Sequence, residues 1–125
     1  MSEPQMLSPH FARSEMQCHC GCNKCIVCVD LLDALEDLRE RVGWPLVVNS
    51  AYRCPEHNAA VGGKPKSKHL EGIAADVCCR NLSVDDLARA AETIPAFRRG
   101  GIGKYPKKGF VHVDVRRNGP ARWVG

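Results

Sequence analysis

The sequence predicts an α+β fold, a single small domain in which an antiparallel sheet packs against flanking helices. Two amphipathic segments have a helical period, and about four short apolar segments have strand character, two of them joined by a tight turn. The length of 125 residues is typical of one domain, and no internal repeat divides it. We therefore expect a flexible lead-in over residues 1–16, interrupted by Pro4 and Pro9, and one domain over residues 17–125.

The first predicted helix lies between a cysteine-rich segment and Gly43. Its apolar side chains recur at steps of three and four residues, and they are Val29, Leu32, Leu35, Leu38 and Val42. Gly43 stands where a helix stop is expected, and Pro45 cannot continue the helix. A second helix is predicted between Ser83, whose hydroxyl can cap it, and Pro95, which ends it.

Four short segments are predicted to be strands. They are residues 46–48, 72–79, 101–105 and 109–115, and the last two are joined by a turn at residues 106–108. A polar, glycine-rich loop over residues 56–68 separates the first two strands. Because loops of this length inside a compact domain are usually functional, this loop is a candidate functional segment.

Composition and charge limit the classes of protein to which this chain can belong. The hydrophobic fraction of 44% and the charged fraction of 26% are ordinary for a globular domain. No apolar run approaches the ~18 residues of a membrane span. The net charge of +4 comes without a Lys/Arg run or interleaved aromatic residues, so we expect no nucleic-acid partner. We predict a monomer.

The most informative motif is Ser67-x-His69-x-x-Gly72-x-Ala74-x-Asp76. His69 leaves the long loop, and Asp76 follows seven residues later on an apolar strand. On a strand Asp76 shares a face with Gly72 and Ala74, because side chains alternate. These small neighbours leave room beside the carboxylate for a bulky group such as a metal ion.

A second motif, over residues 110–115, places His112 and Asp114 on one face of a strand and three valines on the other. The valine face requires a core, whereas the His/Asp face must be solvated, paired or bound to metal, because an unpaired buried carboxylate is costly. Together His69, Asp76 and His112 offer two imidazoles and a carboxylate. Three protein ligands with a fourth position open are what a catalytic zinc site needs.

These motifs resemble those of the zinc D-alanyl-D-alanine carboxypeptidases. Relatives of that family include vancomycin-resistance D,D-dipeptidases, phage L-alanyl-D-glutamate endopeptidases and periplasmic murein endopeptidases, and the hedgehog signalling domain shares its fold. The flanking segments that resemble its small single-domain branch are residues 50–55, 57–63, 101–106 and 121–123. The resemblance extends over most of the chain and implies a hedgehog/D,D-peptidase-like fold.

The resemblance also implies roles for particular residues. The ligands of one catalytic zinc ion would be His69, Asp76 and His112. Arg53 would anchor the carboxylate of the substrate or polarise the scissile carbonyl, as a planar guanidinium does well. Ser67 would hydrogen-bond the substrate or fix the loop, and Tyr105 is a further candidate for substrate binding.

The sequence departs from the family at the position of a catalytic acid. Many members carry Glu or Asp three residues before the last histidine ligand, and Gly109 stands there in this chain. Asp114 is the nearest carboxylate, and two interpretations stay open. Either Asp114 is catalytic, as the general base, or it orients a histidine ligand.

Eight cysteines are many for this length, and five lie close together, namely Cys18, Cys20, Cys22, Cys25 and Cys28. The Cys-x-x-Cys spacings from Cys22 to Cys25 and from Cys25 to Cys28 can bind a second, structural zinc. The alternatives are disulfides, perhaps one with Cys54, in an oxidising compartment, or unliganded thiols. Reduced or metal-bound thiols are favoured, since the first 15 residues do not resemble a secretory signal.

The sequence therefore predicts a zinc-dependent peptidase acting on D-amino-acid-containing peptides of peptidoglycan, as a D,D-carboxypeptidase or a cell-wall endopeptidase. Without a visible signal we expect synthesis in the cytoplasm and action in the periplasm or cell wall, as for a phage lysis enzyme. One alternative is a non-catalytic, zinc-containing module of the same fold that binds the cell wall or another ligand. Another is an interaction domain built on the cysteine cluster.

Overall fold

A computed structural model describes residues 5–125, which form two sheets surrounded by short helices. The strands are β1 (Met6–Ser8), β2 (Phe11–Ala12), β3 (Val47–Ser50), β4 (Ala74–Cys78), β5 (Gly101–Tyr105), β6 (Phe110–Asp114) and β7 (Ala121–Val124). The helices are α1 (Arg13–Met16), α2 (Val29–Val42), α3 (Pro55–Ala60), α4 (Val84–Ala91) and α5 (Pro95–Arg99), with a 3₁₀ turn at Lys68–Glu71. None of the described helices combines the length and apolarity needed to cross a bilayer.

The large sheet has the strand order β3-β4-β6-β5-β7, and β1 pairs with β2 separately. Its neighbouring strands are antiparallel except at one edge, where β7 runs parallel to β5. The predicted α+β class with an antiparallel sheet is confirmed. The parallel edge and β7 itself were not predicted, because residues 121–124 contain only a weak apolar alternation.

The helices pack over the valine face of this sheet. Val111 and Val113 of β6 and Val77 of β4 have no solvent exposure, and they share one core with the buried residues of α2 and α4. The strand alternation predicted from the sequence therefore holds, and it leaves the opposite face of β4 and β6 for Asp76 and His112.

Helix α2 has the predicted extent, and Gly43 ends it in the left-handed conformation with φ of 71°. Its buried face is offset from the predicted series and consists of Leu31, Ala34, Leu35 and Leu38. Val29 is 69% exposed, because the first helical residue extends beyond the packed surface. Two overlapping series of three- and four-residue steps share Leu35 and Leu38, so the sequence alone did not separate them.

Two proline positions have consequences beyond those predicted. Ser83 caps α4 as expected, since its Oγ accepts a hydrogen bond from Asp86 N at 3.1 Å. Pro95 follows the end of α4 but also opens α5, because its fixed φ suits the first turn of a helix. Pro55 opens α3 in the same way, so the loop predicted over residues 56–68 is helical at its start.

The flexible lead-in expected over residues 1–16 requires correction where the structure describes it. Residues 1–4 lie outside the described part, but residues 6–16 form β1, β2 and α1. Phe11 is 1% exposed and Met16 is fully buried in the main core. Two large apolar side chains therefore anchor a segment in which the prolines had suggested no regular structure.

Candidate metal centre

Three neighbouring elements bring together the residues named above as zinc ligands. His69 lies in the 3₁₀ turn, which Ser67 caps by accepting a hydrogen bond from His69 N at 3.3 Å. Asp76 of β4 stands directly opposite His112 of β6 in the antiparallel register. All three side chains are buried, and their donor atoms lie close together in a space largely closed to water. Gly72 was expected on the strand with Asp76. It instead ends the 3₁₀ turn, with φ of 72°.

The donor atoms of these residues converge on one carboxylate oxygen. Asp76 Oδ1 lies 3.2 Å from His69 Nε2 and 3.1 Å from His112 Nδ1. In a tetrahedral site with bonds of about 2.1 Å, neighbouring donor atoms are separated by about 3.4 Å. The two imidazole rings are nearly perpendicular, at 79°, with their centroids 5.2 Å apart. The spacing of the three donors thus matches ligation of one ion.

The hydrogen bonds at the far side of each imidazole determine what faces Asp76. His69 Nδ1 lies 2.6 Å from the carbonyl oxygen of Ala51, and His112 Nε2 lies 2.7 Å from Asp114 Oδ2. Both of these nitrogens must donate, which leaves a lone pair on His69 Nε2 and on His112 Nδ1 in the neutral rings. Two lone pairs then point at a carboxylate oxygen and are repelled by it, and a cation bound between the three atoms removes this repulsion. The donor set therefore fits a bound metal.

The carboxylate of Asp76 is ionised at neutral pH. Burial alone would raise its pKa, but the close contact with the imidazole nitrogens of His112 and His69 outweighs the burial and lowers the pKa to about 2. Asp76 therefore offers an anionic oxygen to a cation at neutral pH.

Asp114 lies behind His112 and not at the converging donors. It has no solvent exposure and accepts hydrogen bonds from Gly101 N at 2.8 Å and from Arg116 Nε at 2.8 Å and Nη2 at 2.7 Å. Burial opposes ionisation of Asp114, but Arg116 and His112 outweigh it and hold its pKa well below the usual range. A carboxylate so fully engaged is a poor proton acceptor, so its geometry favours the interpretation that Asp114 orients His112.

Gly109, at the position where the resemblance implied a catalytic acid, lies in the turn between β5 and β6. Its φ of 78° suits glycine, and a Cβ added there would meet no atom within 4 Å. The turn is exposed, so this position supplies no group to the centre.

Arg53 approaches the second oxygen of Asp76. Its Nη2 lies 3.7 Å from Asp76 Oδ2, its Nη1 donates to Asn58 Oδ1 at 3.0 Å, and its Nε donates to Ser50 Oγ at 3.4 Å. Asn58 is buried and also donates to the carbonyl oxygen of Lys64 at 2.9 Å. The sequence pattern does not predict this role of Asn58, because a polar residue one turn into a helix carries no signal of its own.

An aromatic wall stands beside His112. The Trp123 ring lies 5.0 Å from the His112 ring, and Trp123 Nε1 donates to the Tyr105 hydroxyl at 2.8 Å. A Cβ on Gly103 would overlap the indole, so glycine is required for Trp123 to lie across the sheet here. Tyr105 itself stacks on Phe110 with centroids 4.6 Å apart, so it positions Trp123 at the centre.

The cysteines meet in a different combination from the predicted Cys-x-x-Cys pairs. Cys28 Sγ caps α2 by accepting from Leu31 N at 3.4 Å, and Cys25 packs against the main core. The sulfurs that lie together are those of Cys18, Cys20, Cys22 and Cys54. All eight cysteines fall within residues 5–125 and are free thiols.

Comparison with known proteins finds relatives among peptidoglycan peptidases. Peptidoglycan L,D-endopeptidase MepK of Escherichia coli strain K12 is 33% identical over 99 residues, which are 74% of this chain and 51% of that protein. The protein of the same name from Shigella flexneri matches to the same extent. A probable peptidoglycan L,D-endopeptidase MepK of Haemophilus influenzae is 34% identical over 80 residues, 59% of this chain and 40% of its own length.

The chain spans about half the length of the curated relatives it matches. The family profile described as Peptidase M15 matches residues 9–114, a stretch that begins before β2 and contains His69, Asp76 and His112. The resemblance to this group of peptidases stated from the motifs is thereby confirmed. The chain belongs to the Peptidase M15 family.

Proposed function

We propose that this chain is a zinc-dependent peptidase that hydrolyses peptide bonds in the stems or cross-links of peptidoglycan. The observation that carries the proposal is the convergence of two imidazole lone pairs on Asp76 Oδ1, with the Arg53 guanidinium beside the same carboxylate. The peptidase family and the names of the relatives support the choice of reaction and of substrate.

In this proposal His69, Asp76 and His112 hold the ion. Two nitrogen donors and one carboxylate oxygen suit zinc, which takes three protein ligands in catalytic sites and keeps a fourth position open. Bound there, zinc would supply a Lewis acid and lower the pKa of a coordinated water to about 7. The carbonyl of Ala51 and the carboxylate of Asp114 keep both imidazoles in the tautomer that ligation requires.

Arg53 is the catalytic cation of the chain itself. Ser50 and Asn58 fix the plane of its guanidinium, so its remaining N–H groups are aimed before the substrate arrives. It would polarise the scissile carbonyl or bind a carboxylate of the peptide. Since it lies 3.7 Å from Asp76 Oδ2, either group would be held next to the metal position.

The remaining candidates have supporting roles in this proposal. Asp114 positions His112, Ser67 fixes the turn that carries His69, and Tyr105 holds Trp123 as a wall against which the substrate packs. The catalytic unit is the single domain, including residues 6–16, and it acts as a monomer in the periplasm or cell wall.

An L,D-endopeptidase activity is the more specific form of the proposal, because the relatives are named for that bond. A D,D-carboxypeptidase is the other form, in which Arg53 binds the terminal carboxylate of the stem. The two forms differ in whether the residue beyond the scissile bond carries a free carboxylate.

The test is digestion of purified peptidoglycan by wild type, His69→Ala and a matched control, His10→Ala, each with its zinc content measured. His10 pairs with Glu36 and is not a donor of the centre. Release of peptides by wild type and the control, with release and about one zinc ion lost in His69→Ala, supports the proposal. The new termini, identified by mass spectrometry, show which bond was cut.

A binding module of the same fold is the second candidate function. The observation that favours it is that Gly109 offers no acid and Asp114 is fully engaged, so among the described residues neither carboxylate candidate is free to accept a proton. That function predicts zinc lost with His69→Ala, binding to peptidoglycan, and no new termini from any wall type. Such a result would overturn the peptidase proposal.

A further inference from the structure

A second cluster of metal-ligating side chains lies apart from the three donors described above. Cys18 Sγ is 3.4 Å from Cys20 Sγ and 3.6 Å from Cys54 Sγ, and Cys20 Sγ is 3.6 Å from Cys54 Sγ. The Cys22 sulfur completes the group, in which all four Sγ atoms lie within 4.8 Å of one another. Two segments far apart in sequence thus supply four thiols to one point.

We infer that Cys18, Cys20, Cys22 and Cys54 form a structural zinc site with four thiolate ligands. Tetrahedral zinc with Zn–S bonds of about 2.3 Å separates its sulfurs by about 3.8 Å, close to the distances seen here. Four protein ligands leave no open position, so this site is structural and not catalytic. It involves neither Cys25 nor Cys28, whose spacings in the sequence had suggested such a site.

The separations do not fit disulfides. A disulfide requires an S–S bond of about 2.05 Å, whereas the sulfurs of Cys18, Cys20 and Cys54 are 3.4 to 3.6 Å apart. Pairing any two of these sulfurs would also remove them from the four-fold arrangement. A tetrahedral ion, in contrast, uses all four at once.

The backbone of the cysteine-rich segment is shaped for this convergence. Gly21 has φ of 92° and Asn23 has φ of 63°, so the chain turns around Cys22 and brings the sulfurs of Cys18, Cys20 and Cys22 close together. Cys18 N donates to the carbonyl oxygen of Lys24 at 2.9 Å, which closes the turn. Cys54 N donates to Cys18 Sγ at 3.4 Å, the type of N–H···S contact that stabilises a thiolate.

The site would tie the cysteine-rich turn to the segment that carries Arg53. Cys54 follows Arg53 directly and is the N-cap of α3, and α3 contains the Arg53 partner Asn58. The hydrogen bond from Tyr52 N to Met16 O joins the chain just before the cysteine-rich turn to the same segment, and the bond from Arg53 N to His69 O joins that segment to the 3₁₀ turn. Zinc at the four cysteines would therefore restrain the loop on which the substrate-facing guanidinium stands.

The test is the zinc content of the full chain, purified without chelators, for wild type and four variants. Wild type should hold about two zinc ions per chain, and Cys20→Ser and His69→Ala about one each. Cys25→Ser is the matched control, because Cys25 lies in the same segment but outside the cluster, and it should keep both ions. The double variant Cys20→Ser/His69→Ala should hold none.

A second measurement does not depend on how the cysteine variant folds. Cobalt added to the metal-free His69→Ala protein should give the intense charge-transfer absorption of tetrahedral cobalt thiolate, and the exposed thiols of Cys20 and Cys22 should become protected from alkylation. Wild type that holds a single zinc, lost in His69→Ala, with the exposed thiols of Cys20 and Cys22 alkylated as fast with metal as without it, would overturn the inference. Iron in place of zinc would overturn the identity of the ion, and intramolecular disulfides by intact mass would overturn the site.

The two proposals fail in different ways. If only the inference of a cysteine site is wrong, the single bound zinc ion and the release of peptides will both depend on His69. If only the proposed function is wrong, one zinc ion will still depend on Cys20 and the cobalt thiolate absorption will still appear, but no peptide will be released from peptidoglycan.

Discussion

His112 is held between two carboxylates, and only one of them can be a ligand. Asp76 faces Nδ1 at 3.1 Å, whereas Asp114 accepts from Nε2 at 2.7 Å and is itself fixed by Arg116 and Gly101. A buried carboxylate that orients an imidazole raises its basicity as a ligand. This division of roles leads to a prediction that separates orientation from proton transfer.

Asp114→Asn should weaken zinc binding by about 10- to 100-fold, because an amide NH₂ in the place of Oδ2 cannot accept from His112 Nε2 or Arg116 Nη2 and no longer fixes His112. Competition with a chromophoric chelator measures the affinity. Asp85→Asn, at an exposed position of α4, is the control and should bind zinc as wild type does. If Asp114→Asn bound zinc with unchanged affinity yet lost all turnover, Asp114 would be the general base.

Arg53→Lys should leave zinc affinity within about twofold of wild type and lower kcat/KM by about 10- to 100-fold. A lysine ammonium keeps the charge but cannot donate simultaneously to Ser50 and Asn58 in the plane that the guanidinium occupies. Steady-state kinetics on a defined stem peptide measure the loss. Full activity in Arg53→Lys would show that only charge, and not the planar fork, is needed there.

At the scale of elements, a short ion pair attaches the β1–β2 segment to α2. Glu36 of α2 accepts hydrogen bonds from Ser8 Oγ and His10 N, both at 2.7 Å, and lies 2.6 Å from His10 Nδ1. Burial would raise the pKa of Glu36, but the contacts with His10 and Ser8 outweigh it and lower the pKa. The carboxylate is therefore more easily ionised in the folded chain than in the unfolded one.

This shift gives the pH dependence a definite sign. A depressed folded pKa contributes stability above the unfolded pKa, and that contribution disappears as the pH falls through the folded pKa. Glu36→Gln should therefore lower the free energy of unfolding by about 1 kcal/mol at neutral pH, and the difference should shrink over the acidic range in which the Glu36 carboxylate becomes protonated. Urea unfolding across that range measures it, with Glu40→Gln, at an exposed position of α2, as the control. A difference that grew on acidification would contradict the assigned shift.

At the scale of the whole molecule, the convergence of His69, Asp76 and His112 can be predicted from the sequence better than the contacts around these residues. The alternation around His112 and the spacing from His69 to Asp76 follow from strand geometry, so the three donors could be named in advance. The role of Asp114 depended on Arg116 folding back onto it, and the cysteine cluster on Cys54 returning to Cys18. Contacts between segments distant in sequence leave no local period, which is why spacing pointed to the wrong cysteines.

The extent of the domain is the feature for which sequence and structure differ most, and it supplies the last prediction. Phe11 is 1% exposed and belongs to the main core, although it lies in a segment expected to be flexible. Phe11→Ala should lower the free energy of unfolding by about 3 to 5 kcal/mol, since it removes a buried ring and leaves a cavity. Met6→Ala in the same segment should cost less than about 1 kcal/mol, because Met6 is 51% exposed. Urea unfolding of both variants at equal zinc content distinguishes the cases. Equal, small losses would mean that residues 6–16 do not belong to the folding unit. A large loss confined to Phe11→Ala would place the start of the domain before residue 12, where the family match also begins.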